Sequence, residues 1–333
     1  MSRVVRMAPL LLLALAMPAA AERLEDWLVR MDHAMSSMSY RGSLISLRSG
    51  RIDTLRVVHR AGEDGIRERI YTLDGPEREL LRNRDRVRFV FSDRESLVVD
   101  KPFPSRLLPR IPIEAILGEE SMYRVAAGGQ ERVAGRTARR IEILPRDEFR
   151  YGRSLSLDVE TGMLLRSVLL DQSGRAVEML SFVDIEIDAS IDDEALRSAL
   201  REPAGEVNYR DVEPGAGTVP TAGAPNWLPA TLPPGFRLSS VGHTRDEQGR
   251  LVEHLLFSDG LACVSIWIEP AAGPPSLPTV ESLGAVHVFL GQSEDLRVTV
   301  VGEVPPETVR LIGQRMRRAA AVDAREPLPE PTP

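Results

Sequence analysis

The residues able to do chemistry are few and far apart. Five histidines, His33, His59, His243, His254 and His287, include no H-x-x-x-H pair. The helical spacing that offers two imidazoles to one metal ion is therefore missing. Each lies beside apolar residues in an expected helix or strand, as a surface or satisfied core histidine does. Cys263 is the single cysteine, so neither an internal disulfide nor a thiolate metal site can form. It sits in the apolar run Leu261–Ile268, where an inert core thiol is expected, with an intermolecular disulfide as the alternative. Gly152-Arg153-Ser154 and Gly291-Gln292-Ser293 begin like a nucleophile elbow but lack its second glycine. Gly215-Ala216-Gly217 has no strand–helix context and is not a dinucleotide turn. Asp192-Asp193-Glu194 reads as a helix start, and Asp184, Glu186 and Asp188 as the wet face of a strand. No nucleophile–base pair is assembled, so an enzyme is not expected, and no cofactor or metal is implied.

The elements around these residues describe an exported chain. Arg3 and Arg6 precede the apolar run Leu10–Ala16, and Pro18-Ala19-Ala20-Ala21 offers an A-x-A cleavage site. That run is well short of the ~20 apolar residues a membrane helix needs, and no later stretch replaces it, so the mature chain is expected not to span a membrane. No cysteine follows the cleavage point to carry a lipid anchor. The chain of 333 residues has a formal charge of −7. Without the 21-residue leader it holds 40 basic against 49 acidic residues, net −9. That balance speaks against nucleic acid as a partner. Lys101 is the only lysine, and the arginines are evenly spread.

Leu24, Trp27, Leu28, Met31, Met35 and Met38 recur at three- and four-residue steps and predict a helix over Glu22–Met38. The period then changes. Tyr40–Arg48, Ile52–Arg60, Ile66–Leu73, Val87–Phe91, Met122–Ala126, Arg139–Leu144, Ser154–Val159, Leu164–Leu170 and Val177–Ile187 read as nine strands. Glycine-bearing turns such as Asp74-Gly75-Pro76, Gly128-Gly129 and Glu160-Thr161-Gly162 separate them. Short strands joined by tight turns predict an antiparallel meander. Pro102–Gly118, apolar and proline-rich, interrupts it as a plug over one sheet face or a mobile flap. A helix is expected over Asp192–Leu200.

Eight of the twenty-five residues in Arg201–Pro225 are Gly or Pro, which marks a linker. A second unit follows over 226–318. Its opening, Asn226–Phe236, is an extended strap because Pro229, Pro233 and Pro234 exclude a helix. Strands are expected at Leu238–Gly242, Leu251–Ser258, Leu261–Glu269, Ala285–Leu290 and Val298–Gly302, then a helix over Pro305–Arg318. Residues 319–333 read as a disordered tail.

The expected class is α+β, mostly antiparallel β, in two units. One helix cannot cover both faces of nine strands. The first sheet should either leave a concave apolar surface, as a binder of acyl chains would, or pack into a plain sandwich. Phe89, Phe91, Phe103, Leu107, Leu108, Ile111, Ile113 and Ile116 are the candidate lipid-binding residues.

Several blocks in order resemble the MucB/RseB family. They are Trp27–Ala34 with Tyr40-Arg41-Gly42, Tyr71–Glu79, Arg150-Tyr151-Gly152 with Leu157-Asp158, and Thr161–Leu164. In the second unit they are Trp227-Leu228-Pro229, Leu232-Pro233-Pro234-Gly235-Phe236, Phe257-Ser258-Asp259-Gly260-Leu261 and Val301–Pro306. The resemblance spans about residues 22–318. It implies a LolA/LppX-like half-open β-barrel over 22–200, followed by a small α+β domain. It further implies a periplasmic protein that binds the periplasmic domain of a membrane-spanning anti-sigma factor and shields it from proteolysis. Lipoprotein or lipopolysaccharide acyl chains would release that partner. Trp227, Phe236, Arg237, His243, Arg245 and Phe257 are the candidate anti-sigma-binding residues. A lipid or lipoprotein carrier is the alternative, and monomer or homodimer is left open.

Overall fold

The computed structural model describes residues 23–63, 65–84, 86–91, 97–99, 111–200, 224–246, 248–271 and 277–319. Residues 1–22, 201–223 and 320–333, where the expected leader, most of the expected linker and the expected tail fall, lie outside them.

Helix α1 (Leu24–Ser37) carries Glu25 and Asp26 in its first turn, where acids favour the helix dipole. Asp26 accepts the Arg23 backbone N–H at 3.2 Å. The helix buries Trp27, Leu28 and Met31 of the predicted stripe, with Leu24, Met35 and Met38 partly buried against the same core, and it also buries Ala34. The strands that follow are β1 (Tyr40–Arg48), β2 (Arg51–Arg60), β3 (Arg67–Thr72), β4 (Arg78–Asn83), β5 (Arg86–Phe91) and β6 (Leu97–Val99). After α2 (Ile113–Leu117) come β7 (Tyr123–Val133), β8 (Arg136–Pro145), β9 (Gly152–Asp158), β10 (Leu164–Leu170) and β11 (Ala176–Ile187). All eleven form one sheet in the order β6-β5-β4-β3-β2-β1-β11-β10-β9-β8-β7. The two ends do not pair, so the sheet is half-open.

The meander holds, with five local corrections. β4 and β6 add two strands to the nine expected. The Arg-Glu-Leu-Leu-Arg-Asn run of β4 has no strand signature of its own and takes its form from pairing with β3 and β5. Gly128-Gly129 is not a turn. It is an irregularity inside β7, where the register slips between Ala127 and Gln130. The reversal comes later, at Ala134 (φ 49°) and Gly135 (φ 78°), the geometry of a two-residue hairpin turn. Val183 is exposed rather than inward, because the β1–β11 register shifts there. Asp192–Leu200 forms turns, not a helix. Asp192 Oδ1 accepts the Ala195 N–H as a helix N-cap would, but the Ala199 N–H, which would bond the Ala195 carbonyl in a helix, goes to Glu79 Oε1 of β4.

The second sheet contains β13 (Arg237–Arg245), β14 (Leu251–Ser258), β15 (Cys263–Pro270), β16 (Thr279–Leu283), β17 (Val286–Ser293) and β18 (Leu296–Gly302). Its order is β13-β14-β15-β18-β17-β16. Helix α3 (Pro306–Gly313) covers one face and is shorter than expected. Beyond it, β19 (Met316–Arg318) pairs with β12 (Trp227–Pro229), which is the strap. The Met316 N–H donates to Ser293 Oγ at 3.1 Å, and Met316 joins the core with Val309 and Ile312. Cys263 corrects another expectation: it is exposed. Val264, Ile266 and Ile268 alternate inward along β15, so Cys263 faces out.

Candidate functional site

Stretches distant in sequence meet where the first sheet touches the second. Arg150, in the loop before β9, is fully buried there. Its Nε and Nη2 donate to Asp147 at 3.0 and 2.9 Å, and Nη2 also donates to the Pro234 carbonyl. Its Nη1 donates to Asp259 Oδ2, which also accepts the Tyr123 hydroxyl at 2.9 Å. Asp259 Oδ1 takes the Leu261 and Ala262 amides of the β14–β15 turn. Four donor contacts of the guanidinium and both oxygens of Asp259 are therefore engaged, which is what makes a buried ion pair tolerable. The guanidinium carbon stands 5.0 Å from the Phe236 ring centroid. Burial, then the negative charge of Asp259, holds the Tyr123 hydroxyl far above its ordinary range, so it remains a donor.

The turn itself is shaped for close approach. Gly260 has φ +97°, and a Cβ there would overlap the Cβ of Ala115 on α2. Leu261 packs against the first core beside these contacts. Thr308 of α3 donates to the Phe149 carbonyl at 2.8 Å. Tyr151, Leu169 and Ala285 form a small shared cluster. Burial, with Glu307 and Glu303 nearby, pushes the Tyr151 hydroxyl up to about 12.

A cavity of about 470 Å³ opens next to this junction. Leu80, Ile70, Leu55, Ser46, Leu180, Leu169 and Arg153 line it, from seven neighbouring strands, β4 to β9 by way of the β1–β11 pair. Its floor is aliphatic and its rim is charged. Arg48 pairs with Glu178 at 3.1 Å, and Arg153 pairs with Glu303, from the second unit, at 2.7 Å. Half of its fourteen lining residues are polar or charged, so an aliphatic floor meets a strongly polar rim, and the volume is within the range of small-ligand sites.

The residues singled out in the sequence fall in several places. Ile111 and Ile116 are buried in the first core, and Ile113 packs against it. Phe89 and Phe91 stack on each other along β5, with ring centroids 6.5 Å apart. Phe103, Leu107 and Leu108 lie outside the described residues. None of these described residues lines the cavity. Phe236 and Phe257 belong to the second core, so partner contact through them would require that core to open. Trp227 is half-buried under Arg318, 4.7 Å from the ring centroid. Arg237 pairs with Glu120 of the first unit at 2.6 Å. Arg245 bonds the Gly249 carbonyl, and His243 lies 3.1 Å from the Asn226 amide. Arg150, Asp259 and Arg153 were not singled out as site residues, although Arg150 and Asp259 stand within blocks that carry the resemblance. Among the described residues no group of three or more His, Cys, Asp or Glu could hold a metal ion.

Two antiparallel sheets, joined at a buried ionic junction beside an apolar cavity, define a two-unit β-rich binding protein. The chain belongs to the MucB/RseB family: the MucB/RseB N-terminal domain matches residues 23–200 and the C-terminal domain matches residues 221–317. It is 32% identical over 321 residues to the sigma factor AlgU regulatory protein MucB of Pseudomonas aeruginosa, covering 92% of this chain and 95% of that relative. The Pseudomonas aeruginosa MucA/MucB complex superposes with a TM-score of 0.71 at 31% identity, covering 89% of this chain and 99% of the other. A structure described only as MucB gives 0.56 at 29% identity, covering 88% and 97%. At nearly equal identity and coverage, this chain superposes better on the complex.

Proposed function

We propose that this protein is a periplasmic negative regulator of an extracytoplasmic-stress sigma factor. It holds the periplasmic part of a membrane-spanning anti-sigma factor, protects it from proteolysis, and lets it go when acyl chains of lipoprotein or lipopolysaccharide occupy the cavity beside the junction. The observation that carries this reading is the full-length likeness to a relative solved with its partner, MucA, over both units. The cavity supports the lipid half, since an acyl chain needs an aliphatic floor and Leu55, Ile70, Leu80, Leu169 and Leu180 supply one.

Release is then linkage: a lipid that binds the partner-free form better must weaken the partner, and the partner must weaken the lipid equally. The test is capture of a purified periplasmic segment of a membrane-spanning anti-sigma factor from the same organism, with and without acylated lipid. Capture that lipid reverses is expected, together with slower cleavage of the captured segment. Absence of capture overturns the regulator reading. Capture indifferent to lipid overturns only the sensing step. The same cavity would serve a carrier, which would instead hand its lipoprotein to an acceptor in a transfer assay.

A further inference from the structure

We infer that the Arg153–Glu303 ion pair is the latch between the cavity and the second unit, closed when the cavity is empty and open when it is filled. This rests on the reading of the cavity as an acyl-chain site. Among the described residues lining the cavity, Glu303 alone comes from the second unit, and its partner is Arg153 on β9. Arg153 stands opposite Leu169 on β10, itself part of the floor. Its stem therefore lies over aliphatic surface that a bound chain would cover. A chain extended along that floor reaches the guanidinium, and swinging Arg153 aside breaks the single hydrogen bond to Glu303.

The latch is suited to opening. The pair is joined by one contact, with side-chain exposures of 16% and 36%. Glu303 keeps contact with water and the pair has one bond, so it separates at less cost than a fully buried, saturated pair. On the other rim, Glu178 bonds Arg48 and lies near Gly284 in the β16–β17 turn of the second unit. Material at the rim therefore meets the second unit at two points. A ligand that binds only the open form carries the cost of opening, and any change that opens the latch beforehand removes that cost.

The test uses the full chain and N-phenyl-1-naphthylamine, an uncharged apolar fluorophore, as the probe, so that charge changes at the rim do not act on the probe itself. Saturable binding by the wild type, competed by dodecyl maltoside, establishes the cavity reading, and its absence overturns that reading together with the latch. Glu303→Gln should then bind the probe about two- to fivefold more tightly, the scale of a single-contact pair that keeps part of its surface in water. Arg153→Glu should tighten binding similarly through repulsion of Glu303. The exchange Arg153→Glu/Glu303→Arg should return the affinity to the wild-type value. Binding in the wild type with all three variants unchanged overturns the latch and leaves the cavity reading standing. If Glu303→Gln does not fold, the charge exchange carries the test: a tighter rather than restored affinity overturns the inference.

Discussion

Arg150 and Arg153 stand three residues apart, and both reach from the first sheet to the second. Their surroundings differ in almost every respect. Arg150 and Asp259 have side-chain exposures of 0% and 2%, and their remaining donors and acceptors are bonded to Asp147, Tyr123, Pro234 and turn amides. Arg153 and Glu303 share one hydrogen bond at a cavity rim. A buried, saturated pair resists separation because each freed charge would be left without water or partner. A pair that is partly open to water and joined by one bond exchanges its partner for water at lower cost. One junction thus contains a fixed point and a yielding point, and the yielding point is the one that faces the cavity.

The largest expected effect comes from the fixed point. Arg150→Met leaves Asp259 buried, and Asp147 largely covered, without their cation and should cost about 3–5 kcal/mol, read as a lowered urea midpoint. A loss below about 1 kcal/mol would make the two arginines equivalent and end the comparison. Next is the turn that brings Asp259 into place. Gly260→Ala meets the Ala115 Cβ and carries a side chain at φ +97°, for an expected loss of about 1–3 kcal/mol. Adding Ala115→Gly should restore the part due to overlap and none of the part due to φ. Full restoration would show that backbone strain contributes nothing.

Much of the frame was legible in the sequence because period and turn chemistry act locally. The stripe of α1, most of the antiparallel strands and the proline strap follow from residue types within a few positions of each other. The junction did not follow, because its partners are 109 residues apart in the Arg150–Asp259 pair and 150 apart in the Arg153–Glu303 pair. Arginine in this chain is nearly the whole basic complement, so composition gives no reason to choose Arg150. The blocks that carry the family resemblance did contain the signal. Arg150-Tyr151-Gly152, Leu232–Phe236, Phe257–Leu261 and Val301–Pro306 all supply residues to the junction. Cys263 went astray for a simpler reason: an apolar run shows that a strand is buried on one face but not which phase of the alternation faces inward.

The yielding point should contribute little to stability. Arg153→Gln or Glu303→Gln is expected to shift the urea midpoint by about 0–1 kcal/mol equivalent, and less in high salt than in low. A loss as large as that of Arg150→Met would show that the rim pair is a second anchor.

The smallest effect sharpens the comparison by acting elsewhere. His254 lies on β14, stacked on Trp267 with ring centroids 4.6 Å apart, and faces away from the α3 core that takes its neighbour Leu255. Burial holds its pKa below the ordinary 6.5. Well above pH 6.5 the imidazole is neutral in both folded and unfolded chains and contributes no pH dependence. As pH falls from 6.5 towards the lower folded value, the unfolded chain takes up a proton that the folded chain does not, and stability declines. His254→Phe keeps an aromatic ring against Trp267 and cannot titrate. The difference in urea midpoint between wild type and variant should be constant well above pH 6.5 and should shift in favour of the variant as pH falls through 6.5. If the two profiles stay parallel down to pH 5, His254 titrates alike in the folded and unfolded chains and acid acts through other groups. If they diverge, the second sheet has an acid-sensitive point of its own, separate from both arginines at the junction.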